Sequence, residues 1–326
     1  MTTPAVSVVI VTYNSAEDID GCLGAVLAHG PVDGAPLEVI VVDNASSDGT
    51  ARRVRARGET VTLVESPTNV GFAAGVNLGV ARAKAPYVLL LNPDCSVAAG
   101  CIATLHRTLA ADAGAGAVGA LLTNPDGSPQ LFARRDITPR QAFWSLTELG
   151  RHLDERWRGH RWRAHRRYED RWPPEQRTEY DTIAGACVLV RRPSGGALLD
   201  EAFPLLFNDT DLYLRLRAAG HTVSVEPLAR AIHGYGTTLL ALPTARYNAE
   251  MLATLAVFAR RHWPLRWRMG WVLLELVDVV GSIILLTRRN AKVIGRADLK
   301  ALAGAWGLPG GAPPWLVAPR WRRPSA

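Results

Sequence analysis

The chain contains little cysteine. Four of its 326 residues are cysteines: Cys22, Cys95, Cys101 and Cys187. They form no Cys-x-x-Cys pair, and no histidines accompany them at the spacing of zinc ligands. The sequence therefore indicates neither a disulfide framework nor a zinc site, and it favours a reducing compartment.

A secretion signal is also lacking. The first residues, Met-Thr-Thr-Pro-Ala, lead directly into a β-branched run, without a basic segment ahead of an apolar one. We therefore expect a cytoplasmic protein.

The longest apolar segment is not free of charge. Residues 267–289 are almost wholly apolar, but Glu275 and Asp278 interrupt them near the middle, where charge in hydrocarbon is costly. If the segment is an α-helix, with about 100° of rotation per residue, its polar residues lie in one narrow stripe along the helix. They are Arg268, Glu275, Asp278, Ser282 and Arg289. The pattern favours a helix in a membrane interface, or one packed on the protein with this stripe outward, over a membrane span.

Acidic residues are outnumbered by basic ones. The net charge is +7 and the isoelectric point is near 9.6, which favours an anionic partner such as a nucleotide, a phospholipid head group or a nucleic acid. Arginines alternate with aromatic residues in a basic insertion at about 134–180, most densely over 151–168. No nucleic-acid-binding motif accompanies it, so we interpret it as a solvated or lipid-facing insertion and expect no nucleic-acid partner.

Strands and helices alternate over the first 95 residues. Apolar, β-branched runs at 6–12, 37–43, 61–65 and 87–91 are each followed by a turn or a helical segment. This order predicts an α/β fold with a doubly wound, mostly parallel sheet. Farther along, we expect a strand over 181–190 and short strands at 221–226 and 229–233.

Two of these strands end in a carboxylate. Asp94 follows the buried run Tyr87–Leu91, and Asp43 ends the run 37–43. Carboxyl ends of parallel strands share one edge of the sheet, where ligands bind. An Asp there suits a divalent cation that neutralises a diphosphate, although Asp94 could also simply close a strand.

Two further segments match functional motifs, but the elements predicted around them argue against both matches. Gly114, Gly116 and Gly119 have dinucleotide-like spacing but precede a strand, whereas the fingerprint must lead into a helix. An oxidoreductase is therefore disfavoured. Asn124-Pro-Asp126 repeats the tripeptide at 92–94, but the Gly and Ser that follow indicate a turn between strands.

Asp209 and His233 are further candidates. Asp209 opens a helix that ends at Gly220, so it could be an N-cap, a functional group or both. His233 ends a short strand.

The chain resembles a family 2 glycosyltransferase of the GT-A fold over residues 5–240, and the rhamnosyltransferase-like branch in particular. Four motifs carry this resemblance, in the family's order: Ser7-Val-Val-Ile-Val-Thr-Tyr-Asn14; Val41-Val-Asp-Asn-Ala-Ser-Ser-Asp-Gly-Thr50; Asn69-Val-Gly-Phe-Ala-Ala-Gly-Val-Asn77 with Leu90-Leu-Asn-Pro-Asp94; and Gly185-Ala186 with Phe207-Asn-Asp-Thr-Asp-Leu212. We therefore expect a GT-A domain over 1–240 with a nucleotide-binding N-terminal half, a helical, membrane-associated C-terminal extension over 241–306, and an irregular tail over 307–326.

The resemblance implies a role for each matching residue. Residues assigned to the donor nucleotide are Thr12, Tyr13, Asn14, Asp43, Asn44, Gly71, Asn77, Asn92, Pro93 and Asp94. Asp43 would accept a hydrogen bond from a pyrimidine base. Asp94 would bind Mg²⁺ or Mn²⁺ on the donor diphosphate, and His233 would be a second ligand, a proton donor to the diphosphate or a structural histidine.

The resemblance also implies an acceptor site and a reaction. Gly185, Ala186, Asn208 and Asp211 would lie at the acceptor, and Asp209 would be the catalytic base of an inverting transfer. The expected donor is dTDP-rhamnose, and the expected acceptor is a cell-wall, polysaccharide or polyprenyl-linked saccharide on the inner face of the cell membrane.

Two positions depart from the family's commonest pattern. Asn92 replaces an Asp of the metal motif, and Asn208 replaces a Glu before the base. A nucleotide-sugar-binding protein without catalysis, and a transferase of UDP- or GDP-sugars, are therefore kept as alternatives. The sequence leaves the oligomeric state open, including a homo-oligomer.

Overall fold

The computed structural model describes residues 3–131, 133–146, 172–234 and 244–274. Residues 3–131, 133–134 and 172–234 form one compact unit, and residues 135–146 and 244–274 form a second. Most of the basic insertion, the end of the segment 267–289 and the predicted irregular tail lie outside the described residues. The predicted domain boundaries therefore stay predictions.

The first half of the sheet is parallel. Its strands are β1 (Val6–Thr12), β2 (Leu37–Asp43), β3 (Thr62–Glu65) and β4 (Tyr87–Leu91), in the spatial order β3-β2-β1-β4. Thr12 pairs with Asp43, and Ile10 pairs with Leu91. The carboxyl ends of β1, β2 and β4 therefore meet at one edge, as the sequence predicts.

The second half adds antiparallel pairs. Its strands are β5 (Cys95–Val97), β6 (Ala115–Thr123), β7 (Thr178–Glu179), β8 (Cys187–Arg191) and β9 (Thr222–His233). β8 is antiparallel to both β4 and β6, β9 runs parallel to β6, and β5 and β7 pair antiparallel with β9.

Two strand predictions differ from the structure. The strand predicted over 181–190 begins only at Cys187, because Gly185 and Ala186 lie where the chain turns into the sheet. The two strands predicted at 221–226 and 229–233 are one strand, β9, whose pairing with β6 shifts register between Ala120 and Leu121. A bulge of this kind absorbs residues without ending the strand.

Helices cover both faces of the sheet. The helices of the first unit are α1 (Ile19–Ala28), α2 (Thr50–Arg55), α3 (Phe72–Val80), α4 (Cys101–Ala111) and α6 (Asn208–Ala218), with a short 3-10 helix at Gly58–Thr60. Val8 and Ile10 of β1 share a buried cluster with α1 and α4, whereas Val9 and Val11 contact α3. Successive residues of a strand point to opposite faces, so the sheet is doubly wound, as predicted.

Two glycines bring α3 close to the sheet. A β-carbon on Gly75 would lie 2.8 Å from Cγ1 of Val11, and one on Gly79 would lie 2.5 Å from Cγ1 of Val9. Such distances are shorter than real carbon contacts, so this helix can reach its position only without side chains there.

Helix α1 starts at Ile19, and its N-cap residue, Asp18, makes no capping hydrogen bond with its side chain. In the loop ahead of it, Asn14 accepts a hydrogen bond from the backbone N–H of Ser47 at 2.9 Å. The side chain thus joins two loops at the sheet edge.

The second unit contains α5 (Pro139–Leu146), α7 (Thr244–His262) and a further helical stretch at 265–274. The indole N–H of Trp263 donates to the carbonyl of Ile137 at 2.9 Å, and the rings of Trp263 and Trp271 are 5.9 Å apart. Within the described residues, no helix combines the length and the apolar character that crossing a membrane requires.

Candidate active site

The loop after β4 is held from two sides. The backbone N–H of Asn92 donates to the carbonyl of Ala186 at 2.9 Å, and Gly234 N–H donates to the carbonyl of Asp94 at 2.9 Å. The turn itself is closed by a hydrogen bond from Cys95 N–H to the carbonyl of Asn92 at 3.1 Å. The segment 92–94, with Pro93 at its centre, is therefore fixed between the start of β8 and the end of β9.

Asp94 and His233 face each other at this edge. Pairing of β5 with β9 sets Cys95 opposite His233, and Asp94 Oδ1 lies 3.4 Å from His233 Nε2. Their side chains are only 8% and 7% exposed. Two ligands at right angles on a cation with bonds of about 2.1 Å would be about 3 Å apart. The pair therefore has a spacing that suits one shared divalent cation.

Cys95 lies near this pair but differs in chemistry. Ligand atoms of Asp94, Cys95 and His233 all lie within 4.8 Å of one another. Burial raises the pKa of the Cys95 thiol well above its ordinary value, and Sγ donates to the carbonyl of Ala186 at 3.4 Å. Because the thiolate is the form that binds metals, Asp94 and His233 are the better ligand pair.

Asp209 lies in the first turn of α6. The N-cap is Phe207, whose φ of 63° is left-handed, so the N-cap alternative for Asp209 is not what the structure shows. Asp209 Oδ1 accepts the backbone N–H of Thr210 at 2.7 Å. Burial raises the pKa of Asp209 above its ordinary value, and it outweighs the opposing effects of the Thr210 N–H and the Arg134 charge.

A short chain of contacts joins Asp209 to Asp94. A β-carbon on Gly185 would lie 3.2 Å from Cβ of Asp209 and 3.6 Å from its Oδ2. The next residue, Ala186, accepts the Asn92 hydrogen bond described above. The two acids, far apart in sequence, thus belong to one edge of the sheet.

The loops after β1 and β2, whose residues are predicted to bind the donor nucleotide, are closely packed. Asp43 is 3% exposed, and its oxygens accept hydrogen bonds from Thr12 Oγ1 and Ser46 N–H, both at 2.9 Å. Asn14 N–H donates to Ser46 Oγ at 2.9 Å. Asp43 therefore holds the loops that follow β1 and β2, and its contact with a base stays a prediction.

Asn44, Gly71 and Tyr13 lie in the same region. The Asn44 amide donates to the carbonyl of Gly71 at 3.0 Å, while its buried Oδ1 has no hydrogen-bond partner among the described residues. Gly71 has φ +89°, and a β-carbon there would lie 3.0 Å from Pro204. Tyr13 is half-buried, and its N–H donates weakly to Ser15 Oγ at 3.4 Å.

Three predicted binding residues are occupied by structural contacts. Asn77 donates to the Leu199 carbonyl at 2.9 Å and to Glu201 at 3.0 Å, so its amide fastens α3 to the loop before α6. Asn208 is buried and donates to the carbonyl of Leu205 at 2.9 Å. Asp211 is 1% exposed and pairs with an arginine one helical turn later at 2.8 Å. Their predicted donor and acceptor contacts stay predictions.

Sequence reasoning missed two residues near these acids. Gln130 contacts His233 through both ends of its amide, and Arg134 is an exposed cation whose charge partly offsets the rise that burial causes in the pKa of Asp209. No local sequence pattern identifies Gln130 as a functional residue, since it simply follows the turn at 124–128. Arg134 begins the basic insertion, where its charge is one of many.

The fold is that of the GT-A glycosyltransferases. The chain belongs to glycosyl transferase family 2, whose sequence model matches residues 7–193. The predicted family and fold are therefore confirmed, and the protein is a glycosyltransferase.

Individual relatives agree with this assignment. N-acetylglucosaminyl-diphospho-decaprenol L-rhamnosyltransferase of Mycobacterium tuberculosis is 29% identical over 309 residues, covering 88% of this chain and 97% of that protein. The mannosyltransferase PcManGT of Pyrobaculum calidifontis, solved with GDP-Man and Mn²⁺, matches with a TM-score of 0.53 and 19% identity, over 94% of this chain and 80% of that one. S. aureus TarS 1–349 with UDP-GlcNAc matches with a TM-score of 0.51 and 15% identity, over 93% and 80%.

Proposed function

We propose that this glycosyltransferase moves L-rhamnose from dTDP-rhamnose to a hydroxyl of a saccharide on a polyprenyl diphosphate, with inversion. The mycobacterial relative, whose name specifies rhamnosyl transfer to a decaprenol-linked sugar, supports this donor and acceptor. The observation that carries the reaction type is that the Gly185-Ala186 segment contacts both Asp209 and Asn92, two residues before Asp94, at one sheet edge.

Asp94 and His233 would hold Mg²⁺ or Mn²⁺. A carboxylate oxygen and an imidazole nitrogen are both ligands that Mn²⁺ accepts, and their 3.4 Å separation suits a shared ion. When bound, such an ion offsets the negative charge that develops on the leaving diphosphate. Asn92 beside them contributes no charge, so the site has one carboxylate fewer than the family's usual pair.

Asp209 would act as the general base. Its Oδ1 accepts from Thr210, and its other oxygen, Oδ2, beside Gly185, would take the proton of the acceptor hydroxyl. The hydroxyl oxygen then bonds to the anomeric carbon as the bond from that carbon to the diphosphate oxygen breaks, and the electron pair leaves with dTDP. A raised pKa makes this carboxylate a stronger base than an exposed one.

The second unit offers a surface for the membrane that carries the acceptor, on the cytoplasmic side where we propose the enzyme works. Leu265, Met269, Val272 and Leu273 are exposed and share one side of the helix at 265–274, opposite the buried Trp271. Exposed arginines at 260, 261 and 266 neighbour this apolar stripe. Apolar side chains flanked by cations fit an anionic lipid surface.

The test is a transfer assay with purified protein. A polyprenyl-diphosphate N-acetylglucosamine acceptor is incubated with Mg²⁺ and dTDP-rhamnose, UDP-glucose or GDP-mannose in turn. We expect product only with dTDP-rhamnose, with an anomeric configuration opposite to that of the donor. Transfer from the UDP- or GDP-sugar alone would disprove the donor assignment, and retained configuration would disprove the single displacement.

A further inference from the structure

We propose that Gln130 is a positioning residue that sets the tautomer and orientation of His233, so that the imidazole presents Nε2 to the divalent cation. This inference rests on the metal site proposed above. Gln130 is 5% exposed, and the hydrogen bonds of its side chain go to His233 and Asn124. It acts through His233 alone.

The orientation of the Gln130 amide follows from its partners. Nε2 lies 2.7 Å from the backbone carbonyl of His233 and 2.6 Å from Oδ1 of Asn124. A carbonyl oxygen can only accept, so the amide nitrogen must lie on this side and Oε1 on the other. Oε1 then faces Nδ1 of His233 at 3.0 Å.

The tautomer of His233 follows from the amide. Because Oε1 can only accept, Nδ1 must carry the proton, and a neutral imidazole then has its lone pair on Nε2. Nε2 lies 3.4 Å from Oδ1 of Asp94 and 3.4 Å from the amide nitrogen of Asn92, which is a weak hydrogen-bond contact. The Asp94 oxygen and the Nε2 lone pair are both acceptors, so a cation between them would bring the two together favourably.

The turn at 124–128 supports this arrangement. Ser128 Oγ donates to the Asp126 carboxylate at 2.5 Å and accepts from Asn124 Nδ2 at 2.8 Å, which fixes Oδ1 of Asn124 toward Gln130. A directed chain of donors thus runs from His233 through Gln130 and Asn124 to Asp126. The second Asn-Pro-Asp tripeptide is a turn, as the sequence predicts, and it also orients the site formed by the first.

Hydrogen bonds to the distal nitrogen of a ligating histidine fix its ring and raise its basicity, and losing them typically costs about 10–100-fold in metal affinity or activity. Gln130→Leu keeps the approximate size of the side chain and removes the acceptor for Nδ1–H. We therefore expect Gln130→Leu to weaken Mn²⁺ binding by about 10–100-fold. Gln176→Leu is the matched control, because it makes the same replacement at an exposed glutamine of the same unit.

Mn²⁺ alone, titrated into the full-length protein and followed by the EPR signal of the free ion, measures the affinity. Wild type and Gln176→Leu should bind Mn²⁺ with equal affinity, and Gln130→Leu should bind it more weakly. Equal affinity in Gln130→Leu would overturn the role of Gln130 and leave the metal site standing. No Mn²⁺ binding by the wild type would overturn both the metal site and the role of Gln130. The proposed rhamnosyl transfer is tested independently by the assay described above.

A second measurement needs no variant. In ¹⁵N-histidine-labelled wild-type protein without metal, long-range ¹H–¹⁵N correlations distinguish the two imidazole tautomers. We expect the Nδ1–H tautomer for His233, assigned by its loss in His233→Gln. An Nε2–H tautomer would overturn the proposal even if Gln130→Leu failed to fold.

Discussion

The backbone of Gly185 lies against the side chain of Asp209, so closely that a β-carbon at residue 185 would be 3.2 Å from Cβ of Asp209. Asp209 Oδ2 is 3.6 Å from the same point. Because residue 185 has no side chain, the Asp209 carboxylate lies directly against the backbone at the start of β8. The acceptor hydroxyl must reach this carboxylate for Asp209 to act as a base.

Gly185→Ala should therefore lower turnover without loss of the fold. The added methyl group would push against Asp209 and occupy space that the acceptor needs. We expect kcat/KM for the acceptor to fall at least tenfold, which corresponds to about 1.4 kcal/mol. Gly195→Ala is the control, because nothing lies within 4 Å of a β-carbon there. Equal losses in the two variants would contradict the role of Gly185.

Asp209→Asn should abolish transfer and keep donor binding. General-base catalysis typically contributes about a hundred- to ten-thousand-fold. Calorimetric binding of dTDP should match that of the wild type, since Asp209 contacts residues of α6 and Gly185 rather than the loops after β1 and β2. A variant that transfers sugar at the wild-type rate would disprove the assignment.

The pH profile of the wild type offers a further check on Asp209. Because burial raises its pKa, the carboxylate is protonated at a higher pH than an exposed aspartate. Only the ionised form can accept the proton, so kcat/KM should fall as the pH decreases through this raised pKa. An acidic limb at or below the ordinary value of 3.8 would contradict the expectation.

His29 should make stability depend on pH. Its Nε2 accepts the backbone N–H of Ile102 at 3.1 Å at the start of α4, and burial lowers the pKa of the imidazole below its ordinary value of 6.5. The unfolded chain therefore binds a proton at higher pH than the folded one. Stability due to His29 is complete above 6.5 and decreases as the pH falls toward the lowered pKa.

Urea unfolding between pH 7.5 and 5.5 measures this effect. His29→Gln keeps an acceptor for the helix N–H and cannot be protonated, so its stability should fall less than that of the wild type over this range. Identical pH dependence of the two proteins would exclude His29 as a source.

Two glycine substitutions should change stability in opposite directions. In Gly79→Ala the new methyl carbon would lie 2.5 Å from Cγ1 of Val9, in a buried strand, and such overpacking typically costs about 1–3 kcal/mol. In Gly24→Ala of α1 nothing lies within 4 Å, and replacing a helical glycine by alanine typically gains up to about 1 kcal/mol. Unfolding midpoints in urea check both. Stabilisation by Gly79→Ala would refute the close approach of α3.

The apolar stripe at 265–273 should bind lipid. Substituting both Met269 and Leu273 with Glu removes two exposed side chains that would each contribute about 1.5–3 kcal/mol if fully buried. We expect at least a tenfold weaker association with vesicles of phosphatidylglycerol and phosphatidylcholine in flotation assays. Leu228→Glu, at a single exposed leucine of β9, is the control. Unchanged flotation of the double variant would exclude this surface.

Local pattern determined much of the first half of the chain. Uninterrupted apolar runs indicated strands, of which β1, β4 and most of β2 are buried, and a residue that follows such a run was expected at the carboxyl edge of a parallel sheet. Asp43 and Asp94 were therefore identifiable, as was the family, because its motifs follow these same strand ends. The start of α6 near Asp209 was also readable from its acidic first turn.

Tertiary structure alone decided which side chains meet at that edge. His233 reaches Asp94 because β9 pairs with β5, and Gln130 reaches His233 because a tight turn folds the chain back after β6. Asn77, which a motif assigns to the donor, instead fastens α3 to a loop more than a hundred residues away in sequence. Secondary-structure propensity and hydrophobic periodicity reflect interactions between residues that are close in sequence. These contacts depend instead on strand order and register, which are set when the whole sheet is buried.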